Sequence, residues 1–340
     1  MSKKLLPILM VVVFATMAMA GDMEYTVYGK LHMSTQMNND SENSQLTLSS
    51  NTSRFGVKGS QELAENYTLI WQFEQAMDLS NSGGVLSNRN SFLGMKGTWG
   101  SWLIGIHDTP MKTLGRKATF FYDTVGDFRT TTMGWDKRYT NIIMYSTPKM
   151  EKFMGQAMYR YDQNAIGADE AANVMSVMAA YNDEDIFLGA AFETNTKGNY
   201  AVADPEAASA IRVAGKYSAD QFGISALFQT VSNAAGIKDL SQQTIGGEVM
   251  FHASPEYDIK GGYYMADPNT DVDNDDYALA TFGVDRNYGK DVTVYIQFAM
   301  IMNGDDAAMG LGGNGWGDSV PTFAAGESPY SVSLGLWKKF

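Results

Sequence analysis

Three side chains of this sequence, His32, His107 and His252, are the available imidazole bases. None lies in a nucleophile motif such as G-x-S-x-G, and the absence of cysteine removes thiol catalysis and thiolate metal sites. A serine or aspartate elsewhere could still approach a histidine in space. No local spacing announces such a site, however, and an enzyme is not expected. Between Asp267 and Asp276 lie Asp271, Asp273, Asp275 and Asp276, a carboxylate set with which a loop could hold calcium. The stretch lacks the glycine and distal glutamate of an EF-hand loop. A solvated outer loop, bridged at most to lipid phosphates by divalent ions, is the expected reading, and no cofactor or metal is predicted. The 22 methionines are scattered over apolar positions, where they read as packing rather than as metal ligands.

With so little local chemistry, the informative feature is the pattern of elements. Val292, Val294, Ile296, Phe298, Met300 and Met302 alternate with Thr293, Tyr295, Gln297 and Ala299. Period two places the two sets on opposite faces of a strand. The same pattern sets Tyr25, Val27, Leu31 and Met33 against Thr26, Tyr28, Lys30, His32 and Ser34. Near the end of the chain, Tyr330, Val332, Leu334 and Leu336 alternate with Ser331, Ser333 and Gly335. Strand-like segments are predicted at 25–36, 52–60, 67–75, 89–97, 101–107, 139–147, 153–162, 173–182, 185–195, 209–218, 221–231, 242–253, 256–266, 276–286, 290–302 and 329–340, an even set of sixteen.

The first twenty residues have the features of an export signal: Lys3 and Lys4, an apolar run from Leu5 to Ala15, then Ala18 and Ala20. Cleavage is expected after Ala20, leaving residues 21–340 as one domain. That chain would keep 23 basic and 38 acidic side chains, a net charge of −15, so nucleic acid is not an expected partner. The acid excess suggests mild preference for cations, although much of it falls in connections, where salt screens it.

A water-soluble sandwich would alternate as well, and the connections discriminate. Long polar ones (37–51, 76–88, 108–138, 163–172, 196–208, 232–241, 267–275 and 303–328) alternate strictly with short ones such as Gln61 to Asn66 and Ala219 to Asp220. That asymmetry belongs to a membrane barrel with its short turns and both termini on the periplasmic side. Closure follows because an open sheet edge in hydrocarbon leaves backbone groups with no partner. Aromatic residues near strand ends, Tyr159, Tyr161, Tyr263, Tyr264, Trp316 and Tyr330, are candidates for the headgroup level.

The order and spacing of several pieces resemble the Gram-negative general porin family over essentially the whole mature chain. They are Tyr28-Gly29-Lys30-Leu31, then Ser53-Arg54-Phe55-Gly56-Val57-Lys58-Gly59 running to Leu63, Trp71-Gln72-Phe73-Glu74-Gln75, Arg89 with Phe92 and Gly94, and Asp108-Thr109-Pro110. Asp123-Thr124 with Asp127, then Arg138, Asn141, Tyr145 and Pro148, and finally Gly335-Leu336-Trp337-Lys338-Lys339-Phe340 complete the set. The chain departs from the family after Gly105, where many members carry an arginine and this one has Ile106 and His107.

The resemblance implies an all-β transmembrane antiparallel barrel of about sixteen strands, assembled as a trimer, with the third long connection folded into the lumen. That connection, 108–138, carries Asp108, Asp123, Asp127 and Asp136, which the resemblance makes the acids of a constriction. Facing them would be basic wall residues: Lys30, Arg54 and Lys58, whose alternate neighbours Val27, Leu31, Phe55 and Val57 face lipid, together with His107 and Arg160. His32, Arg212 and Lys216 are further lumen candidates. Phe340 resembles the C-terminal signal read by the barrel-insertion machinery. The implied partners are outer-membrane lipid and lipopolysaccharide, and small hydrophilic solutes and ions that diffuse through. The alternatives are a substrate-selective porin, an outer-membrane barrel enzyme and an envelope anchor or receptor.

Overall fold

The computed structural model describes residues 23–340 apart from 82–85, 149, 164–170, 270–273, 313–319 and 323. The expected signal over 1–20 and its cleavage after Ala20 therefore lie outside the described residues, as do Asp271, Asp273 and Trp316.

The strands are β1 (Glu24–Asn39), β2 (Ser44–Ser50), β3 (Arg54–Ala64), β4 (Tyr67–Ala76), β5 (Ser87–Asn88) and β6 (Ser91–Gly97). They continue with β7 (Gly100–Asp108), β8 (Arg138–Ser146), β9 (Phe153–Arg160), β10 (Val174–Asn182), β11 (Ile186–Asn195) and β12 (Ala208–Ser218). The last six are β13 (Phe222–Ser232), β14 (Ser241–Ser254), β15 (Tyr257–Asn269), β16 (Tyr277–Tyr288), β17 (Val292–Asn303) and β18 (Tyr330–Lys339). Two strands are interrupted. β2 and β3 pair with successive parts of β1, and β5 and β6 both pair with β4. Among the described residues the segments thus make sixteen staves of one antiparallel sheet, closed where Lys30 to Asn39 pair with Lys339 to Tyr330. The backbone of Phe340 extends this closure by exchanging hydrogen bonds with Gly29 (3.0 and 3.2 Å).

The faces fall as the alternation predicts. Thr293, Tyr295, Gln297 and Ala299 are buried on the inside of β17, whereas Ile296 and Phe298 are exposed on its outside. Around the barrel the outer face presents Leu31, Ile104, Ile143, Leu188, Ile224, Ile245, Phe282 and Leu334, all exposed. An apolar exterior of this extent would be untenable in water and is the natural surface of a barrel in hydrocarbon. Among the described residues no helix is long and apolar enough to cross a membrane. The protein is a transmembrane antiparallel β-barrel.

Three expectations need correction. The 37–51 connection is a tight hairpin, because β1 continues to Asn39 and β2 begins at Ser44, with Leu46 and Leu48 on the outer face beside Met37 and Thr35. Tyr264 is not at the headgroup level: it is wholly buried on the inner face, whereas its neighbour Tyr263 points outward. Connection 108–138 is not loop throughout, since it contains the helix α1 (Pro110–Lys117) and a 3-10 turn (Phe128–Thr131).

The opposed faces give a direct test. Leu334→Arg, at mid-strand on the outer face, should lower stability by about 2–4 kcal/mol. Thr26→Gln on the inner face should change it by no more than about 0.5 kcal/mol. Urea unfolding from lipid vesicles measures both.

Candidate functional site

The segment from Thr109 to Lys137 is held against the inner face of β10 to β16. Thr109 starts α1 as its N-cap, its hydroxyl accepting from the Lys112 amide (3.1 Å), and Pro110 occupies the first turn, where its missing N–H is no loss. Met111, Leu114 and Ala118 of this segment then pack with Phe128, Val125 and Trp135 against inner-face residues that include Met178, Ala180, Ala191, Ala210, Ala214 and Leu227. The wall is small where the segment is bulky. At Gly189 a Cβ would stand 2.8 Å from the Leu114 side chain, and at Gly223 it would stand 2.6 Å from the Phe120 ring. Each buried leucine or methionine contributes about 1.5–3 kcal/mol to this contact.

Polar anchors complete the attachment. Gln229 donates to the Thr132 carbonyl (3.1 Å), and Gln242 and Thr244 both donate to the Thr131 carbonyl (2.7 Å each). Thr119 (2.7 Å) and the Phe120 amide donate to Glu248, which also accepts from the Tyr264 hydroxyl (2.8 Å). Lys260 reaches the Phe120 carbonyl (3.2 Å).

The four acids of this region have different partners. Asp136 receives two parallel bonds from Arg212 (2.7 and 2.8 Å), a guanidinium with no solvent exposure. Asp108 pairs with Arg138 (2.9 Å) and Lys112 (3.2 Å). Asp127 accepts from the Arg129 amide (3.0 Å) and side chain (2.6 Å) and caps the turn that follows it. Asp123 meets the wall bases Arg54 at 3.6 Å and Lys30 at 3.9 Å, and also pairs with Arg129 of its own segment at 3.1 Å. Its backbone is left-handed (φ 61°) and its amide donates to Asp127 (2.8 Å), which holds this conformation in place. Such a backbone costs on the order of 1 kcal/mol for a residue other than glycine and persists only where its surroundings fix it. Burial alone would push the Asp123 carboxyl up; Lys30, Arg129 and Arg54 outweigh it and hold the group well below the ordinary carboxylate range. Arg212 does the same for Asp136 against its burial.

Beside Asp123 lies a cavity of about 240 Å³ lined by five cations (Lys30, Arg54, Arg116, Lys260, Lys339) and two acids (Asp123, Asp285), with Phe120, Tyr122 and Trp337 among its other walls. The period-two rule brings Lys30 and Arg54 here. Lys58 also faces inward, but toward a separate cavity of about 250 Å³ shared with Lys96 and Glu24. His107 and Arg160 stay away from Asp123. His107 contacts the Asp108 carbonyl (2.8 Å) and the Phe92 ring, and Arg160 bonds Ala172 and Asn199 at the outer end. His32 is a wall residue bonded to the Tyr295 hydroxyl (2.9 Å), and Lys216 lies over the Phe120 ring. Arg116, Lys260 and Lys339 were not among the expected residues, although Lys260 and Lys339 sit at inward positions of alternating strands. Asp275 and Asp276 belong to no metal-holding cluster among the described residues.

A closed barrel with an apolar exterior, a charged interior and an inward-packed third connection defines a channel-type membrane protein. The family model of Gram-negative porins matches residues 8–306, and the chain belongs to that family. It is 30% identical to a chitoporin of Vibrio furnissii over 197 residues, 52% of each chain. It is also 22% identical to the major outer membrane protein P.IB of Neisseria lactamica over 268 residues, 75% of this chain and 78% of that one. The match spans about half the length of the chitoporin. Among solved structures, an anion-selective porin from Comamonas acidovorans superposes with a TM-score of 0.79 at 20% identity, covering 94% of this chain and all of that one. OmpT of Vibrio cholerae gives 0.70 at 17% identity, covering 94% and 99%.

Asp136→Asn leaves Arg212 buried without its counter-charge and should weaken attachment of 109–137 by about 3–5 kcal/mol, read as faster amide exchange there. The same exchange reports acid release. A carboxyl depressed by folding stabilises above its unfolded pKa, and that contribution fades as pH falls through the folded value. Attachment should therefore persist to roughly pH 4 and fail only below the ordinary carboxylate range.

Proposed function

We propose that the protein forms a water-filled channel in the outer membrane through which small hydrophilic solutes and ions diffuse passively, and that segment 109–137 narrows it. Family membership, the fold shared with solved porins and the inward attachment of that segment support this reading. The trimer, lipid and lipopolysaccharide contacts, and a role for Phe340 in insertion are part of the same proposal. They rest on the family and on an outward Phe340 ring whose position over Gly29 leaves no room there for a Cβ.

The selectivity follows from one observation, the excess of five cationic over two anionic side chains in the cavity beside Asp123. Fixed charges at a narrow wet passage act on permeating ions far more strongly than charges in outer connections, which salt screens over about 8 Å. The lining thus points to anions, opposite to the preference suggested by the net charge. The anion-selective porin among the structural neighbours is in keeping with this.

Planar-bilayer recording under a salt gradient tests both parts. Purified protein should conduct, with a reversal potential displaced toward chloride. Lys260→Glu or Arg116→Glu should move it toward the cation value, and Asp123→Asn should move it further toward chloride. Absence of conductance would remove the channel, and cation preference in the native protein would remove the role of the lining.

A further inference from the structure

On the outer face of β13 to β16, near the short-turn end, lies a cavity of about 430 Å³. Its sides are Phe222, Val249, Phe251, Ile259 and Phe282, every one of them exposed, and its floor is Gly261. The register explains the hollow. Gly261 is directly paired with Val249 on one side and Phe282 on the other, so a residue with no side chain stands between large ones. The space above it is open: a Cβ at Gly261 would have nothing nearer than 3.9 Å. Gly189 and Gly223 are filled by the 109–137 segment, whereas Gly261 faces away from the lumen and nothing among the described residues fills the space above it.

Four residues along β16 from Phe282, on the same outward face, is Arg286. It is paired with Tyr257, and its guanidinium lies over the rings of Tyr257 (5.5 Å) and Tyr288 (4.8 Å). Its one ion pair among the described residues, with Glu256, is 4.0 Å long and exposed on both sides, too weak to occupy the charge. At about 3.3 Å per residue, Arg286 lies roughly 13 Å along the strand from Phe282, the partner of Gly261, with Val284 between. A cation flanked by tyrosines marks the headgroup level, and an apolar slot one leaflet-fraction deeper marks acyl chains.

We infer that this outer groove is a binding site for one anionic phospholipid of the leaflet at the short-turn end, its acyl chain lying over Gly261 and its phosphate against Arg286. The choice of a lipid over a second copy of the chain rests on the charge. Arg286 calls for an anion at the rim, and the groove itself presents no polar side chain that a protein partner would need to satisfy. The inference relies on the membrane placement proposed above, which bilayer conductance tests separately.

The experiment uses the full chain purified in mild detergent, stripped of lipid and titrated with palmitoyl-oleoyl phosphatidylglycerol under native mass spectrometry. One tightly held lipid per chain is expected. Gly261→Leu, whose Cβ would meet nothing nearer than 3.9 Å and whose branched end would occupy the slot, should weaken that binding by about tenfold, equivalent to about 1.4 kcal/mol. Arg286→Gln should weaken phosphatidylglycerol several-fold and reduce the margin over phosphatidylethanolamine. Ile143→Phe, outward on the distant strand β8, should change nothing. Equal binding by Gly261→Leu and native protein would overturn the site, as would an equal loss in Ile143→Phe, which would reveal only unspecific surrounding lipid. Unchanged lipid with loss of oligomer in Gly261→Leu would reassign the groove to contact between copies. Arg286→Gln stands alone should the glycine variant not fold, and unchanged phosphatidylglycerol binding in it refutes the inference.

Discussion

In hydrocarbon no water is available to an unpaired amide or carbonyl, and each such group costs several kcal/mol. The hydrogen-bonded seam between β1 and β18 answers that constraint, and the rest of the architecture depends on it. Once the sheet is closed, side chains have two destinations, lipid or lumen, and period two distributes them. Irregularities sit where pairing can lapse. The break between β2 and β3 turns Asn51 and Ser53 inward into bonds with inner-face partners, and the shift between Gly105 and His107 lies at the entrance to the third connection. The short turns need little sequence, so variation in length is confined to the other end.

The interior then faces a second problem, that of a long polar segment lying inside a wet tube. Water competes with each of its hydrogen bonds, and no single contact would hold it. The attachment combines buried apolar side chains, carbonyls capped by glutamines and threonines of the wall, and carboxylates neutralised at short range. Buried ion pairs add little net stability over apolar substitutes, but they specify position, because a displaced Asp136 would leave Arg212 charged and dry. Asp136 and Asp108 are committed to Arg212 and Arg138 of the wall and Asp127 to Arg129, which leaves Asp123 to meet Lys30 and Arg54. The remaining lysines and arginines outnumber the acids around the cavity beside Asp123.

Much of this was legible in the sequence. Alternation placed the strands within a few residues and oriented Lys30, Arg54 and Lys58 inward, since one buried face fixes register over a whole strand. The hairpin at 40–43 was not legible, because Leu46 and Leu48 are embedded among serines and asparagines that imitate a loop. The helix α1 is only two turns long, too short to show a helical period, and it is stabilised by the wall rather than by its own propensity. Pairings such as Asp136 with Arg212 join residues far apart in the chain, and nothing local encodes them. Tyr263 and Tyr264 show the limit of composition: adjacent identical residues went to opposite faces, and only the parity of their strand distinguishes them. The same parity would have nominated Lys260 and Lys339.

The way α1 is seated has a physiological corollary. Fastened along its length by grease, amides and ions, the third connection is built as masonry rather than as a door. A conduit of that kind passes whatever fits at a rate proportional to the gradient. The traffic it carries would be governed by how many copies the envelope holds, not by opening and shutting any one of them.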